Sequence, residues 1–284
     1  MTTLADLTTP CKPNWCPGCG DFGIWTAFRN AATKENWNVG NTVITAGIGC
    51  HGHIINFVKL PAFEGLHGRA LPVATGVKMA NHKLNVFVFT GDGDSLGEGG
   101  NHWVHTCRRN HDITIILHDN AIYGLTTGQT SPASQKGFKS KSTPEGNPDE
   151  PIRPLALAIA AGATFVARGS AYEHERLTEL IIAANNHKGI AIIDVLQACM
   201  SFNPEVADYY KANTYYLGDD YNPKDKNAAF TKALEWGEKS IPLGILYKEE
   251  KPSYEMEIPQ IAQKPLVSTP PLKRNIQTLF KQYL

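Results

Sequence analysis

Two apolar runs in this chain end in the same way. Val86, Phe87, Val88, Phe89 and Thr90 lead directly into Gly91-Asp92-Gly93-Asp94, and residues 113–117 lead through His118 and Asp119 into Asn120-Ala121-Ile122-Tyr123-Gly124. Each run is short, rich in β-branched or aromatic residues, and closed by polar or glycine punctuation, which is the pattern of a buried strand. Asp92 and Asn120 stand 28 residues apart, the length that one strand–helix–strand crossover consumes. The two strands are therefore expected to lie parallel in one sheet, with both side chains at the same edge. This predicts an α/β fold, a mostly parallel sheet with helices on both faces.

The rest of the chain repeats that rhythm. Strands are expected at residues 42–46, 85–90, 113–117, 164–167 and 190–196, and helices at 22–34, 72–81, 101–109, 154–161 and 172–187. In the last helix Leu177, Leu180, Ile181 and Ala184 recur at three- and four-residue spacings, and Ser170 with Glu173 has the form of a capping box. Residues 131–151 have no apolar periodicity and abundant Pro, Gly, Ser and Lys, so they are expected to be either a lid or a disordered loop. After Pro204 the pattern weakens into an aromatic segment, a short helix near 228–239 and a Pro-rich tail from Ile241. The organisation expected is a cofactor-binding domain over residues 1–204 and a C-terminal arm over 205–284 that contacts a partner subunit.

Composition removes several function classes. Lys+Arg and Asp+Glu both number 27, and no basic run is long enough to mark a nucleic-acid or anionic-membrane surface. The longest nearly apolar stretch, residues 155–167, falls short of the roughly 20 residues that cross a bilayer. The N-terminus lacks a basic start followed by an apolar core, so the cytoplasm is expected, and there six cysteines read as metal ligands or packed thiols rather than disulfides.

Ligands of parallel sheets bind beyond the carboxyl ends of the strands. One carboxylate and one amide there, with glycines that admit a close backbone approach, suit a Mg²⁺ ion shared with a diphosphate. A dinucleotide fold fits less well, because Asp92 would repel a bare pyrophosphate and the third glycine, Gly97, comes one place late. GDGD followed by DNAIYG resembles the thiamine diphosphate motif of 2-oxoacid decarboxylases and transketolases. That resemblance implies Mg²⁺ ligation by Asp92, Asn120 and the backbone carbonyl of Ile122. Asp119 stands where that family often has a further Asn.

The cysteines add a second chemistry. Cys16-Pro17-Gly18-Cys19 is a tight knuckle placed before a helix, but the second CxxC of a zinc ribbon is absent. Cys50, in the loop after strand 42–46, and Cys199, after strand 190–196, are expected at the same edge as Asp92 and Asn120. Four soft thiolates beside a diphosphate coenzyme suit an iron–sulfur cluster, which can accept electrons, better than a structural zinc. Cys11-x4-Cys16-x2-Cys19 also reproduces a plant-type 2Fe-2S spacing, which remains the alternative. Cys107 is expected to be a packed, inert thiol, and His102 with His105 an ordinary polar helix face.

WCPGCG, GIGCHG, HGRALPVATGVKMAN, TGDGDSLGEGGNH, CRRN, NAIYGLTTGQTSP and QACMSFN, in this order over roughly residues 11–205, resemble the β subunit of the 2-oxoacid:ferredoxin oxidoreductases. The resemblance implies thiamine diphosphate, Mg²⁺ and one 4Fe-4S cluster, the last held by Cys16, Cys19, Cys50 and Cys199. It places coenzyme contacts at Ile48, Gly49, Cys50, His51, His67, Gly93, Asp94, Gly124 and Leu125. His67 and Arg69 are the candidates for catalytic contacts to coenzyme or substrate carboxylate. The implied reaction is coenzyme A-dependent oxidative decarboxylation of a 2-oxoacid, with electrons passed to ferredoxin. 2-Oxoglutarate is placed ahead of pyruvate, although Thr127 stands where 2-oxoglutarate enzymes often carry a Lys. The chain holds one diphosphate motif only, so an α subunit is expected to complete the site in an αβ heterodimer. The rivals are a thiamine-dependent decarboxylase without redox chemistry and a non-enzymatic metal-binding scaffold.

Overall fold

A computed structural model describes residues 1–270, 276–281 and 283. Eight strands, β1 (Thr42–Ala46), β2 (Ala62–Glu64), β3 (Asn85–Gly91), β4 (Thr114–Asp119), β5 (Phe165–Ser170), β6 (Ala191–Leu196), β7 (Thr214–Tyr216) and β8 (Ile241–Lys248), form one sheet in the order β2-β1-β3-β4-β6-β5-β8-β7. The first six run parallel, as their helical crossovers require. β8 and β7 reverse together: β8 is antiparallel to β5 and parallel to β7. The helices of eight residues or more among the described residues are α1 (Asp21–Lys34), α2 (Ala70–Ala80), α3 (Gly100–Arg109), α4 (Pro154–Ala161), α5 (His174–Asn186), α6 (Val206–Asn213) and α7 (Lys226–Leu234). Among the described residues no helix is long and apolar enough to cross a membrane.

The period of two along each strand sorts its side chains into two cores. Phe87, Phe89, Ile116 and Ile193 face α1 and α5, where Ile24, Phe28, Leu177 and Ile181 meet them. Val86, Val88, Ile115 and Ile192 face the other way, onto Leu71, Trp103, Leu155 and Ala229 of α2, α3, α4 and α7. Helices on both faces are thus what the two-sided apolar strands demand. α4 starts on Pro154 and stops at Gly162, whose φ of 101° is open to glycine at little cost.

Three expectations need correction. Ser170 and Glu173 form no capping box: Ser170 ends β5, α5 begins only at His174, and Glu173 makes no side-chain cap bond. Strand β5 runs past residue 167 because Arg168, fully buried, is paired at 2.8 Å with Asp194, its direct neighbour in β6. A charge that reads as surface is held inside by its partner, and removing that partner would cost roughly 3–5 kcal/mol. Finally, residues 205–284 are not an arm throughout, since β7 and β8 extend the same sheet. Pro242 is tolerated in β8 because β5 takes its bonds from residues 244–248 and asks no N–H of residue 242. The helix expected near 228–239 is α7, set two residues earlier by Asp225, whose carboxylate accepts from the Asn227 and Ala228 N–H groups.

Beyond β8 the chain is fastened back to the sheet through Glu255, whose Oε1 lies 2.6 Å from His111 Nδ1 and whose Oε2 accepts from the Asp112 N–H. Burial would raise this carboxyl, but the His111 hydrogen bond and charge and the backbone donor outweigh it, so its pKa lies below the ordinary 4.5. A lowered acid stabilises the fold above its unfolded pKa and loses that contribution as pH falls through the folded value. Acidification below about pH 4.5 should therefore raise hydrogen exchange in residues 253–262 before the sheet opens. In Glu255→Gln that segment should already exchange faster at neutral pH and show little further change on acidification. An unchanged acid response in the variant would remove Glu255 as the cause.

Candidate functional site

The loops leaving β1, β3 and β4 meet above the carboxyl edge of the sheet. They line a cleft that contains Asp92, Asn120 and Ile122 together with Ile48, Gly49, Cys50 and His51. His67, Gly93, Asp94, Gly124 and Leu125 complete the expected set in the same cleft. Arg69 does not line it: it flanks the start of α2 as an exposed side chain. A larger groove between α1, α5 and β8 contains none of the expected site residues.

Asp94 is the junction of these loops. Its Oδ1 accepts from the Gly68 N–H at 2.7 Å and the Ile48 N–H at 3.3 Å, and its Oδ2 from the Thr90 hydroxyl at 2.5 Å. His51 Nε2 and His67 Nδ1 lie 3.6 and 3.8 Å from its two oxygens. Burial works to raise this carboxyl, but the His51 interaction, Thr90 and Gly68 prevail and hold it low, hence anionic. Both oxygens are occupied within the protein, so Asp94 fixes the loops around the cleft.

Asp92 differs. It is buried and accepts a short hydrogen bond from Ser131 Oγ. Burial dominates over that bond and the Gly93 N–H and pushes its carboxyl up, the state of an acid without sufficient counter-charge. Asn120 folds back so that its Oδ1 accepts from the Ile122 N–H at 3.1 Å, and Ala121 between them takes a φ of 54°.

The glycines have a second use here. A Cβ at Gly93 would come within 2.3 Å of the Tyr123 ring, and one at Gly91 within 2.9 Å of the His51 ring. Tyr123 in turn donates its hydroxyl to the Gly93 carbonyl at 3.1 Å. The turn after β3 is thus glycine-rich at least in part to admit two rings from other loops.

The four cysteines gather beside this cleft. A Cβ on Gly124 would lie 3.2 Å from Cys199 Sγ and 3.9 Å from Cys50 Sγ. The knuckle packs on the loop after β6, with Cys16 Sγ 3.1 Å from Ser201 Oγ. Trp15 Nε1 donates to the Cys50 carbonyl at 2.7 Å. Burial, then the nearby Asp21 carboxylate and neighbouring thiols, pushes Cys50 up to about 12, and Cys19 and Cys199 also lie above the ordinary thiol range. A metal that displaces the protons would make thiolates of them. Among the described residues no three His, Cys, Asp or Glu side chains close around a single ion-sized point. Cys107 is fully buried on α3 and its thiol is likewise raised by burial. Cys11 is exposed. His105 accepts from its own helix neighbour Arg108, as a polar face would.

Several residues of this region escaped the sequence reading. Asp21 Oδ1 lies 2.7 Å from His118 Nδ1, deep between the knuckle and His51, whose ring centre is 5.6 Å from that of His118. Gln197 lines the cleft, and Ser131 reaches Asp92 across 39 positions of sequence. None belongs to a local pattern; only His118, ending an apolar run, carried a positional hint.

The sequence and the fold have counterparts among known proteins. Residues 41–195 match the family model of the thiamine pyrophosphate enzyme C-terminal TPP binding domain, and residues 199–263 match the C-terminal model of the pyruvate ferredoxin oxidoreductase beta subunit. The fold and the matched segment define a thiamine diphosphate-binding domain. The 2-oxoacid:ferredoxin oxidoreductase subunit beta of a Sulfolobus species is 46% identical over 265 residues, covering 88% of this chain and 87% of the relative. That of Saccharolobus solfataricus is 46% identical over 260 residues, covering 86% and 85%. A solved 2-oxoglutarate:ferredoxin oxidoreductase from Magnetococcus marinus, holding 2-oxoglutarate, coenzyme A and succinyl-CoA, superposes with a TM-score of 0.91 at 34% identity, covering 98% of this chain and 96% of that one. The chain belongs to the beta subunits of the 2-oxoacid:ferredoxin oxidoreductases.

Proposed function

We propose that this chain, with an α subunit, catalyses coenzyme A-dependent oxidative decarboxylation of a 2-oxoacid to acyl-CoA and CO₂, 2-oxoglutarate ahead of pyruvate, and delivers the electrons through a 4Fe-4S cluster to ferredoxin. The observation that carries the redox reading is Gly124. It lines the cleft with Asp92, Asn120 and Cys50, and a Cβ placed on it would lie 3.2 Å from Cys199 Sγ and 3.9 Å from Cys50 Sγ.

The residues fit the groups this reaction needs. Asp92, an undercompensated buried carboxylate, would hold Mg²⁺ together with Asn120 and the Ile122 carbonyl, and the cation would supply the missing positive charge. Cys16, Cys19, Cys50 and Cys199 would hold the cluster. When bound, thiamine diphosphate supplies an electron sink at the keto carbon, and the cluster accepts the electrons. The chain's own part is to orient. Asp94 ties the His51 and His67 loops together, so that both rings stand at fixed places on the cleft wall. His67 lines the cleft with a half-buried side chain, whereas the exposed Arg69 would need a partner or a movement to reach it.

A decarboxylase without redox chemistry would leave the gathering of four cysteines without purpose, and a scaffold would leave Asp92 uncompensated. The names of the relatives, all beta subunits, support an α subunit as the source of the rest of the coenzyme site. Six free cysteines suit the reducing cytoplasm.

The test uses the anaerobically purified αβ complex with oxidised ferredoxin and coenzyme A. Ferredoxin reduction is expected with 2-oxoglutarate at a higher kcat/KM than with pyruvate, and only in the presence of coenzyme A. Faster reduction with pyruvate would reverse the substrate order. Release of CO₂ without ferredoxin reduction would favour the decarboxylase.

A further inference from the structure

The stretch 131–151, expected as a lid or as disorder, is tied at its root to both halves of the diphosphate motif. Ser131 Oγ donates to Asp92 Oδ2 at the end of β3, and Ser134 Oγ donates to the Ala121 carbonyl beyond β4 at 2.6 Å. The two serines also fix each other, because the Ser131 N–H donates to Ser134 Oγ at 2.8 Å. Asn147, returning from the far side of the loop, donates to the Ser134 carbonyl at 3.0 Å. Ser131, Ser134 and Asn147 are 5%, 1% and 6% exposed, so solvent does not compete for these bonds.

We propose that Ser131 and Ser134 are positioning residues that pre-set the divalent-cation site, one for the carboxylate ligand and the other for the backbone ligand. This inference rests on the reading of Asp92, Asn120 and Ile122 as Mg²⁺ ligands. A carboxylate can present either oxygen and can rotate; the Ser131 bond engages Oδ2 and so fixes the rotation in which the group would meet a cation. Ser134 acts one residue from the other ligand. Its acceptor is the carbonyl of the peptide that joins Ala121 to Ile122, and Ala121 holds a left-handed conformation, φ 54°, that costs a non-glycine residue on the order of 1 kcal/mol. Without Ser134 that peptide would be held only at its N–H, by Asn120 Oδ1, and the Ile122 carbonyl beyond it would be less firmly placed. Partners of metal ligands that fix orientation typically matter by about 10- to 100-fold in metal affinity.

Mg²⁺ and Ca²⁺ separate orientation from mere folding. Mg²⁺ demands near-octahedral geometry and short bonds, whereas Ca²⁺ accepts irregular shells. Loosening a ligand should therefore harm Mg²⁺ far more than Ca²⁺, while a general loss of structure harms both alike. The experiment titrates each cation into the metal-stripped αβ complex and follows thiamine diphosphate binding by calorimetry, a readout independent of turnover. Ser131→Ala is expected to weaken the Mg²⁺ requirement by about tenfold and the Ca²⁺ requirement by less than about threefold. Ser134→Ala should act in the same direction more weakly, and Ser131→Thr, which keeps the hydroxyl, should restore the Mg²⁺ affinity. Equal losses for the two cations, or a Ser131→Ala protein with unchanged Mg²⁺ affinity, would overturn the inference. Asp92→Ala in the same titration separates the two failures. If it abolishes Mg²⁺-dependent binding while Ser131→Ala does nothing, only the positioning role falls; if it too binds normally, the ligand assignment itself falls.

Discussion

Asp92→Ala is expected to lose thiamine diphosphate, with affinity down by more than about a hundredfold, while the cluster's iron and sulfide stay at the level of the unaltered protein. The expectation follows from a mismatch in the fold. Asp92 is a buried carboxylate that desolvation raises, and the Ser131 hydroxyl, backbone N–H groups and nearby His51 compensate it incompletely. Removing it deletes the only full charge among the three proposed ligands, and the diphosphate then loses the cation that joins it to the protein. The cysteines lie on other loops and keep their supports, including the bond from Trp15 to the Cys50 carbonyl. Asn120→Ala should follow the same course less severely, because a neutral ligand is lost and the Ile122 N–H loses its acceptor. Coenzyme content and iron content, measured together on one preparation, form the test. Retained coenzyme in Asp92→Ala would refute the assignment.

The second large effect concerns the cluster. Ala in place of Cys16, Cys19, Cys50 or Cys199 should each cost most of the acid-labile sulfide and the broad visible absorption. Cys11→Ala and Cys107→Ala should leave both in place. Cys107 makes the sharpest control, since it is as buried as any residue of the core yet sits on α3 among apolar neighbours, where Ala is a tolerable if slightly destabilising replacement. Cys11 separates the two cluster types. If Cys11→Ala bleaches the protein and Cys199→Ala does not, the site is the 2Fe-2S kind that the Cys11-x4-Cys16-x2-Cys19 spacing suggests.

Much of the architecture is legible because strands and helices announce themselves locally. β1 and α4 fall where apolar period and punctuation place them, and β3, β4 and β6 lie within two residues of expectation. The errors have physical causes. β5 is longer than expected because Arg168 is neutralised by Asp194, a partner that pattern reading cannot see. β8 is hidden because Pro242 and Gly244 read as a tail, and only pairing with two different neighbours along its length makes that sequence a strand. β2 is three exposed residues at the sheet edge and carries almost no apolar signal. In the site, Arg69 was an expected contact because it adjoins His67 in sequence, but the start of α2 turns it out of the cleft.

By itself the sequence determines which chemical groups stand at the ends of which strands. A period of two fixes each strand, a crossover of ordinary length makes successive strands parallel, and the residue after each strand is thereby delivered to a common edge. Asp92, Asn120, Cys50 and Cys199 reach that edge by this route. Tertiary structure alone decides how each group is held once it arrives. Asp94 grips three loops, Tyr123 and His51 occupy the space of absent side chains at Gly93 and Gly91, and Ser131 meets Asp92 from a segment without periodicity. These contacts join positions tens of residues apart through single hydrogen bonds or ring faces, and such bonds leave no repeat in the sequence from which they could be read.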